Sequence, residues 1–201
     1  HGESPRLASY GADTVTAEIR SAVVEAGFEQ PIVVGHSLGG VLATAYAGHY
    51  PVRGVVNLDQ PLLAGAFATY LREVEEQLRG PSYLKIWEGL LVAMRADLLP
   101  EAMRFLIWSA STPRQDLLLG YWHELMVSTA AQLQERWTNI LEKLRANDTS
   151  YCHIGSAEVP PAYRTWLTNI LPEATITELG GSGHFLQLGR PAELARVLTA
   201  S

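Results

Sequence analysis

The chain has 201 residues, of which 47% are hydrophobic and 18% are charged, and its formal net charge is −6. This length predicts one globular domain with a substantial core. The acidic balance and the lack of clustered lysine and arginine argue against a nucleic-acid partner, because neutralising phosphates requires such clusters. No apolar run in the sequence approaches the roughly 18 residues of a membrane span. The single cysteine, Cys152, cannot form an internal disulfide and indicates a reducing compartment, so we expect a cytoplasmic location.

The first elements predicted along the chain are a helix, a strand and a second helix. Apolar residues recur at helical spacing over 13–26, and Gly27 follows as a typical helix C-cap. The β-branched run 31–35 predicts a strand that is buried on both faces. The small residues of 38–50 then predict a helix that follows this strand closely.

Strands and helices alternate again towards the end of the chain. Strands are predicted over 53–58, 151–154 and 175–179, and helices over 162–171 and from about Pro191. This alternation is typical of a parallel α/β sheet.

Residues 62–148 interrupt the alternation. The stretch has helical periodicity with breaks at glycine and proline, and a structureless loop of this length is improbable in a compact domain. We therefore expect a helical insertion. Large aromatic side chains in it either pack the insertion onto the sheet or line a pocket. The stretch holds four of the five tryptophans, namely Trp87, Trp108, Trp122 and Trp137.

The segment Gly35-His36-Ser37-Leu38-Gly39 matches the pattern G-x-S-x-G, in which a strand turns sharply into a helix. Side chains two residues before and two residues after the serine would collide with adjoining backbone, and glycine avoids the collision. The turn strains the serine backbone and lifts the hydroxyl to the carboxyl edge of the sheet. There the Leu38 N–H can donate to an oxyanion. The alternative is that Ser37 only caps the helix.

On this motif, extended as GHSLGG, and on GSGHFLQL at 181–188, the chain resembles the α/β-hydrolase family over its whole length. The resemblance implies a parallel sheet flanked by helices, with a core formed by 1–61 and 149–201 and a helical lid formed by 62–148. It also implies a catalytic histidine after the last strand, where His184 stands. A serine hydroxyl is a poor nucleophile until such a base takes its proton.

Two carboxylates are candidates for the acid that completes the triad. Family members place the acid after either of two strands, and this sequence has Asp59 after one and Glu158 after the other. Asp59 is slightly favoured, because a short carboxylate fixed at a strand end holds an imidazole more rigidly. The alternative for each residue is an ordinary turn or loop carboxylate.

The other internal histidines show no metal-ligand spacing, so we assign them structural roles and expect neither a metal nor a cofactor. They are His36, His49, His123 and His153. For His184 the alternative to catalysis is a loop histidine that is only packed or exposed.

The opening residues, His1-Gly2-Glu3-Ser4, resemble the tail of the family's G-H-G-x-S segment, which lies before the helix that leads to the nucleophile strand. We therefore expect the chain to begin partway through the fold, without four family strands and without the loop that supplies the second oxyanion N–H. Losing one oxyanion donor typically costs about 10² to 10³ in rate, and an exposed strand edge favours aggregation. The 201-residue chain is accordingly expected to be weakly active or inactive and poorly soluble.

Together these features predict a serine hydrolase that cleaves small to medium, mainly apolar esters through an acyl intermediate. Ser37 would attack, His184 would transfer the proton, Asp59 or Glu158 would orient the imidazole, and Leu38 would help to hold the oxyanion. Thioester, lactone and carbon–carbon bond hydrolysis use the same residue types. A serine at the elbow, instead of an aspartate, argues against dehalogenases and epoxide hydrolases. The alternatives are a non-catalytic module that binds a small ligand and a cofactor-free haloperoxidase.

Overall fold

The computed structural model describes residues 4–110 and 112–200. In this part of the chain four strands form one parallel sheet, and their order in the sheet follows the order in the sequence. The strands are β1 (Ile32–His36), β2 (Gly54–Leu58), β3 (Ser150–Gly155) and β4 (Thr175–Glu178). The predicted α/β class with a parallel sheet is confirmed. The opening residues 1–3 lie outside the described residues, so the expectation based on them stays a prediction.

Helices surround this sheet and fill the long connection between β2 and β3. In the described residues they are α1 (Ala12–Glu25), α2 (Leu38–His49), α3 (Gly65–Glu73), α4 (Glu75–Arg79), α5 (Tyr83–Ala93), α6 (Glu101–Ala110), α7 (Gln115–Val127), α8 (Ala130–Ala146), α9 (Pro161–Ile170), α10 (Leu186–Gly189) and α11 (Pro191–Ala200), with a short 3-10 helix, Ala96–Leu98, between α5 and α6. No helix among the described residues is long and apolar enough to cross a membrane.

Local sequence explains where two of these helices begin. Thr129 precedes α8 and forms a capping box, because its hydroxyl accepts the Gln132 N–H while the Gln132 side chain accepts the Thr129 N–H. Pro161 is the first residue of α9, where its fixed φ and missing N–H cost nothing. Both signals can be read directly from the sequence.

One face of the sheet is covered by α2, α8 and α9. Their apolar side chains join Val55 and Tyr151 of the central strands in the largest core cluster. The helical members include Ala43, Ala45 and Ala47 from α2, Trp137, Ile140, Leu141 and Leu144 from α8, and Tyr163 and Leu167 from α9. Burying one large aliphatic side chain stabilises a fold by about 1.5–3 kcal/mol. Helix α8 therefore belongs to the layer that covers the sheet, although it lies within the stretch 62–148.

The opposite face of the sheet is covered only in part. Leu186 of α10 and Leu194 of α11 form a cluster with Val56 of the central strand β2. By contrast, Ile32 and Val34 of β1 are each 53% exposed. The expectation that this strand is buried on both faces is wrong. Among the described strands β1 pairs with β2 alone, so it lies at an edge of the sheet. The side chains of Ile32 and Val34 are not part of the cluster around Leu194.

Helices α3–α7 form two further apolar clusters. The first contains Leu71 and Trp122, and the second contains Leu91 and Leu99 together with Phe185 from beyond β4. Phe185 directly follows His184 in the sequence. The helical stretch therefore packs against the segment that carries the candidate base.

The tryptophans of this stretch have different surroundings. Trp122 and Trp137 are buried, as expected for core side chains, and Trp87 is half-buried between the two clusters of α3–α7. Trp108 on α6 is 45% exposed. Packing thus accounts for three of the four, and Trp108 is the one that packing does not explain.

Candidate active site

Ser37 lies at the carboxyl edge of the sheet, between β1 and α2. Its backbone has φ 55° and ψ −126°, a combination that residues with a side chain rarely adopt. Within the described residues the Ser37 side chain makes no capping hydrogen bond to α2, so it does not act as a helix cap. Leu38 begins the helix, where the first N–H groups have no partner inside the helix.

Glycine is needed at Gly35 and at Gly40. The first agrees with the expectation, whereas the second takes the place of the expected Gly39. A Cβ on Gly35 would collide with the carbonyl of Gly39. Among the described residues, a Cβ on Gly39 would meet nothing within 4 Å outside the adjoining backbone of its own helix, so the collision expected two residues after the serine is absent there. A Cβ on Gly40 would lie 2.5 Å from Asn57 Oδ1. The last glycine of the run therefore permits the close approach of α2 to β2.

His184 and Asp59 contact each other directly. His184 Nδ1 lies 2.7 Å from Asp59 Oδ2, and the two side chains are 14% and 16% exposed. Asp59 is the first residue after β2 and has a φ of 56°. Glu158 is exposed and lies three residues after the end of β3. The structure thus brings the imidazole to Asp59 and not to Glu158.

Ser156, which is not among the site residues predicted from the sequence, also holds the carboxylate of Asp59. Its backbone N–H donates to Asp59 Oδ1 at 2.6 Å, and its hydroxyl donates to Oδ2 at 2.8 Å. Ser156 follows β3, which is the strand next to β2. Its position was the signal in the sequence that could have identified Ser156, because it is a polar residue at the carboxyl end of the strand next to β2.

The surroundings of Asp59 keep it ionised. Burial alone would raise the pKa of this carboxyl group, but the hydrogen bonds from His184 and Ser156 outweigh burial and hold the pKa below its usual value. An ionised carboxylate at Nδ1 favours a proton on that nitrogen, which leaves Nε2 unprotonated in the neutral imidazole. Nε2 of His184 is buried and has no hydrogen-bond partner among the described residues.

No hydrogen bond joins the side chains of Ser37 and His184, since Nε2 of His184 is unpaired in the described part of the chain. The residue before the serine, His36, does contact the base, with 4.6 Å between the two ring centroids. Hydrogen bonds between nucleophile and base often tighten only when substrate binds.

The other histidines lie apart from this group or are buried in the core. His49 is exposed and pairs with Asp13, and His123 is exposed. His153 on β3 is 1% exposed and packs edge-on against Tyr163. Burial lowers the pKa of His153 to about 4, so it is neutral at pH 7. Among the described residues no group of His, Cys, Asp or Glu side chains is placed to hold a metal ion.

A cleft of about 460 Å³ lies away from these residues. It is lined by residues 6–11 and by α7 side chains, including Asp116 and His123. Neither Ser37 nor His184 is among its lining residues. The cleft is therefore separate from the candidate site.

Comparison with known proteins identifies the family. The model described as "Alpha/beta hydrolase family" matches residues 1–197 of this chain. The chain belongs to the α/β-hydrolase family. The resemblance seen in the GHSLGG and GSGHFLQL segments is thus confirmed over nearly the whole sequence. A comparison with curated proteins finds no match.

Solved structures of α/β hydrolases share this fold at low sequence identity. A lipase-esterase related protein from Clostridium acetobutylicum is 15% identical, with a TM-score of 0.73 over 100% of this chain and 79% of that chain. A bromoperoxidase from Bacillus anthracis is 15% identical, with a TM-score of 0.70 over 100% and 77% of the two chains. An E-2-(acetamidomethylene)succinate hydrolase is 20% identical, with a TM-score of 0.64 over 100% and 77%. At this identity the likeness shows the fold alone.

Proposed function

We propose that this α/β hydrolase cleaves small to medium, mainly apolar esters, or related carbonyl compounds, through a covalent acyl intermediate on Ser37. The observation that carries the proposal is the 2.7 Å contact between His184 Nδ1 and Asp59 Oδ2 at the sheet edge where the strained Ser37 lies. A serine, a partly buried carboxylate and an imidazole, in this chain order, are the parts of an acyl-transfer site.

The first half of the proposed reaction transfers the acyl group to the enzyme. Ser37 Oγ attacks the carbonyl carbon while His184 Nε2 takes the hydroxyl proton. The Leu38 N–H, at the start of α2, donates to the oxygen that becomes negative in the tetrahedral intermediate. Collapse of this intermediate breaks the ester bond, and His184 returns the proton to the departing alcohol.

The second half releases the acid by the same proton transfers. His184 Nε2 removes a proton from water, which attacks the acyl carbon, and Ser37 leaves with that proton. In both halves Asp59 stabilises the imidazolium that forms and fixes the tautomer. Ser156 supports this role because its two hydrogen bonds keep the Asp59 carboxylate oriented.

The apolar substrate class and the lid role of α3–α7 rest on the packing beside His184. The neighbouring Phe185 forms a cluster with Leu91 and Leu99 of the helical stretch. The backbone carbonyl of Met94, just after α5, accepts the His184 N–H at 2.9 Å. An apolar surface built from helices next to the base suits an acyl chain and excludes water.

The test is covalent labelling of the refolded full-length protein with a fluorophosphonate probe. Labelling of the wild type and its loss in Ser37→Ala are expected, while Ser109→Ala on the exposed side of α6 labels like the wild type. Hydrolysis of chromogenic esters of increasing acyl length then defines the substrate. A folded wild type that does not label, or a Ser37→Ala variant that still labels, contradicts the proposal, and the first result favours a non-catalytic binding module.

A further inference from the structure

The side chain of His36 connects the serine turn with the loop that carries His184. His36 Nε2 lies 2.7 Å from the backbone carbonyl oxygen of His184. His36 directly precedes Ser37 in the sequence. One imidazole thus joins the residue next to the nucleophile to the backbone of the base.

The hydrogen-bond partners of His36 define its tautomer. A carbonyl oxygen can only accept, so Nε2 of His36 carries a proton and donates it to His184. Nδ1 lies 3.3 Å from Nε2 of Gln187, an amide nitrogen that donates. Burial lowers the pKa of His36, and the nearby His184 lowers it further, which favours the neutral ring. A neutral ring with a proton on Nε2 satisfies both partners.

The backbone of His184 is held at both of its polar groups. The N–H donates to the Met94 carbonyl at 2.9 Å, and the carbonyl accepts from His36. The His184 side chain is held separately by Asp59. Of these three contacts, only the one from His36 leads directly to the turn that carries Ser37. It therefore ties the loop of the base to the turn of the nucleophile.

We propose that His36 is a positioning residue that holds the His184 backbone in register with Ser37; this inference rests on the proposed function. Without the hydrogen bond, the loop is free to shift relative to the serine turn. A misplacement of about 1 Å in a catalytic group can cost about 10² in rate. Because the contact is made with the base and not with substrate, the loss falls on kcat and leaves KM nearly unchanged.

The experiment compares His36→Leu with His36→Gln, because glutamine keeps an N–H donor and leucine does not. Both variants are assayed on the ester that the wild type hydrolyses fastest, and thermal unfolding checks that both are folded. We expect His36→Leu to lower kcat by about 10- to 100-fold with KM within about twofold. His36→Gln should recover most of this loss. Wild-type kcat in His36→Leu, or an equal loss in both folded variants, overturns the proposal.

A second measurement needs neither turnover nor a folded variant. The ¹⁵N shifts of the labelled imidazole of His36 in the wild type report which ring nitrogen carries the proton. The Nε2–H tautomer is expected, and an Nδ1–H tautomer at neutral pH overturns the proposal even if His36→Leu does not fold. Absence of fluorophosphonate labelling in the wild type contradicts the proposed function instead, so the two failures are distinguishable.

Discussion

The segments that follow β2 and β3 leave neighbouring strands at the same edge of the sheet, yet their carboxylates have opposite surroundings. Asp59 comes directly after β2, turns inwards at a φ of 56° and is 16% exposed. Glu158 stands three residues after β3 and is exposed, while Ser156 of the same segment reaches Asp59. The backbone of a carboxylate residue next to a strand end is held in place by the hydrogen bonds of the sheet. The longer segment contributes a hydrogen-bond donor instead.

Removing the charge at each carboxylate in turn is the strongest test of whether Asp59, and not Glu158, supports His184. Asp59→Asn should lower kcat by about 10⁴, because the amide no longer favours the tautomer with an unprotonated Nε2 on His184. Glu158→Gln is the matched control and should stay within about twofold, as expected for an exposed surface residue. Ester hydrolysis by the two variants at pH 7 decides the matter. An effect of the opposite order would make Glu158 the acid.

The two strands also differ in their titrating groups. The buried His153 of β3 takes up a proton in acid, whereas its partner on β2, Asn57, does not. The folded state holds the pKa of His153 at about 4 against an ordinary 6.5. Between these pH values the unfolded chain binds more protons, so the free energy of unfolding decreases as pH falls from 6.5 to 4, and His153 contributes up to about 3 kcal/mol of this decrease. Urea unfolding across this range measures it.

The control for this prediction is His153→Phe, which keeps an aromatic ring against Tyr163 and removes the titrating group. Its stability should decrease less on acidification than that of the wild type. Equal decreases in the two proteins would show that His153 does not drive the acid sensitivity.

The loop of His184 allows a comparison between two glycines with positive φ. A Cβ on Gly183 would lie 2.7 Å from the Met94 carbonyl and 2.5 Å from that of Arg95, which pushes the loop away from its anchor. Within the part of the chain that the structure describes, a Cβ on Gly181 would meet only the flexible end of Arg190, at 3.2 Å. Gly183→Ala should therefore lower kcat by about 10², while Gly181→Ala, which also places a side chain at positive φ, should lower it much less. Similar kcat values in the two alanine variants would show that the Met94 anchor is unimportant.

The smallest effect is expected at Ser156. Ser156→Ala removes the hydroxyl that donates to Asp59 Oδ2 but keeps the backbone N–H on Oδ1, so kcat should decrease by about 10-fold. Ser150→Ala, at the other end of β3, removes a hydroxyl that donates to the Arg53 carbonyl and serves as the control. Steady-state kinetics of both variants test the prediction, which fails if the two behave alike.

The sequence predicted the strands, the turn at Ser37 and both carboxylates because each depends on local pattern. It favoured Asp59 over Glu158 only slightly, since the contacts of Asp59 depend on a left-handed backbone turn and on a donor from the neighbouring strand. The motif G-x-S-x-G singles out Gly39, and only the position of Asn57 shows that Gly40 is the glycine without room for a side chain.

Burial and pairwise contacts were harder to predict. The exposure of β1 depends on which elements pack against it. A run of β-branched residues predicts a strand but does not show which elements cover its two faces. His36 has no metal-ligand spacing, and its local sequence does not distinguish a positioning role from a structural one. Its contact with the His184 carbonyl joins residues 148 positions apart.

The packing of α8 has a practical consequence for making chimaeras with other members of the family. Leu141 and Leu144 of α8 are fully buried in the main core, and Thr129 begins the helix with its own cap. An exchange of the proposed lid should therefore end before Thr129, so that the recipient keeps α8 and its packing. A graft that extends to residue 148 would replace α8, and with it part of the main core, together with α3–α7.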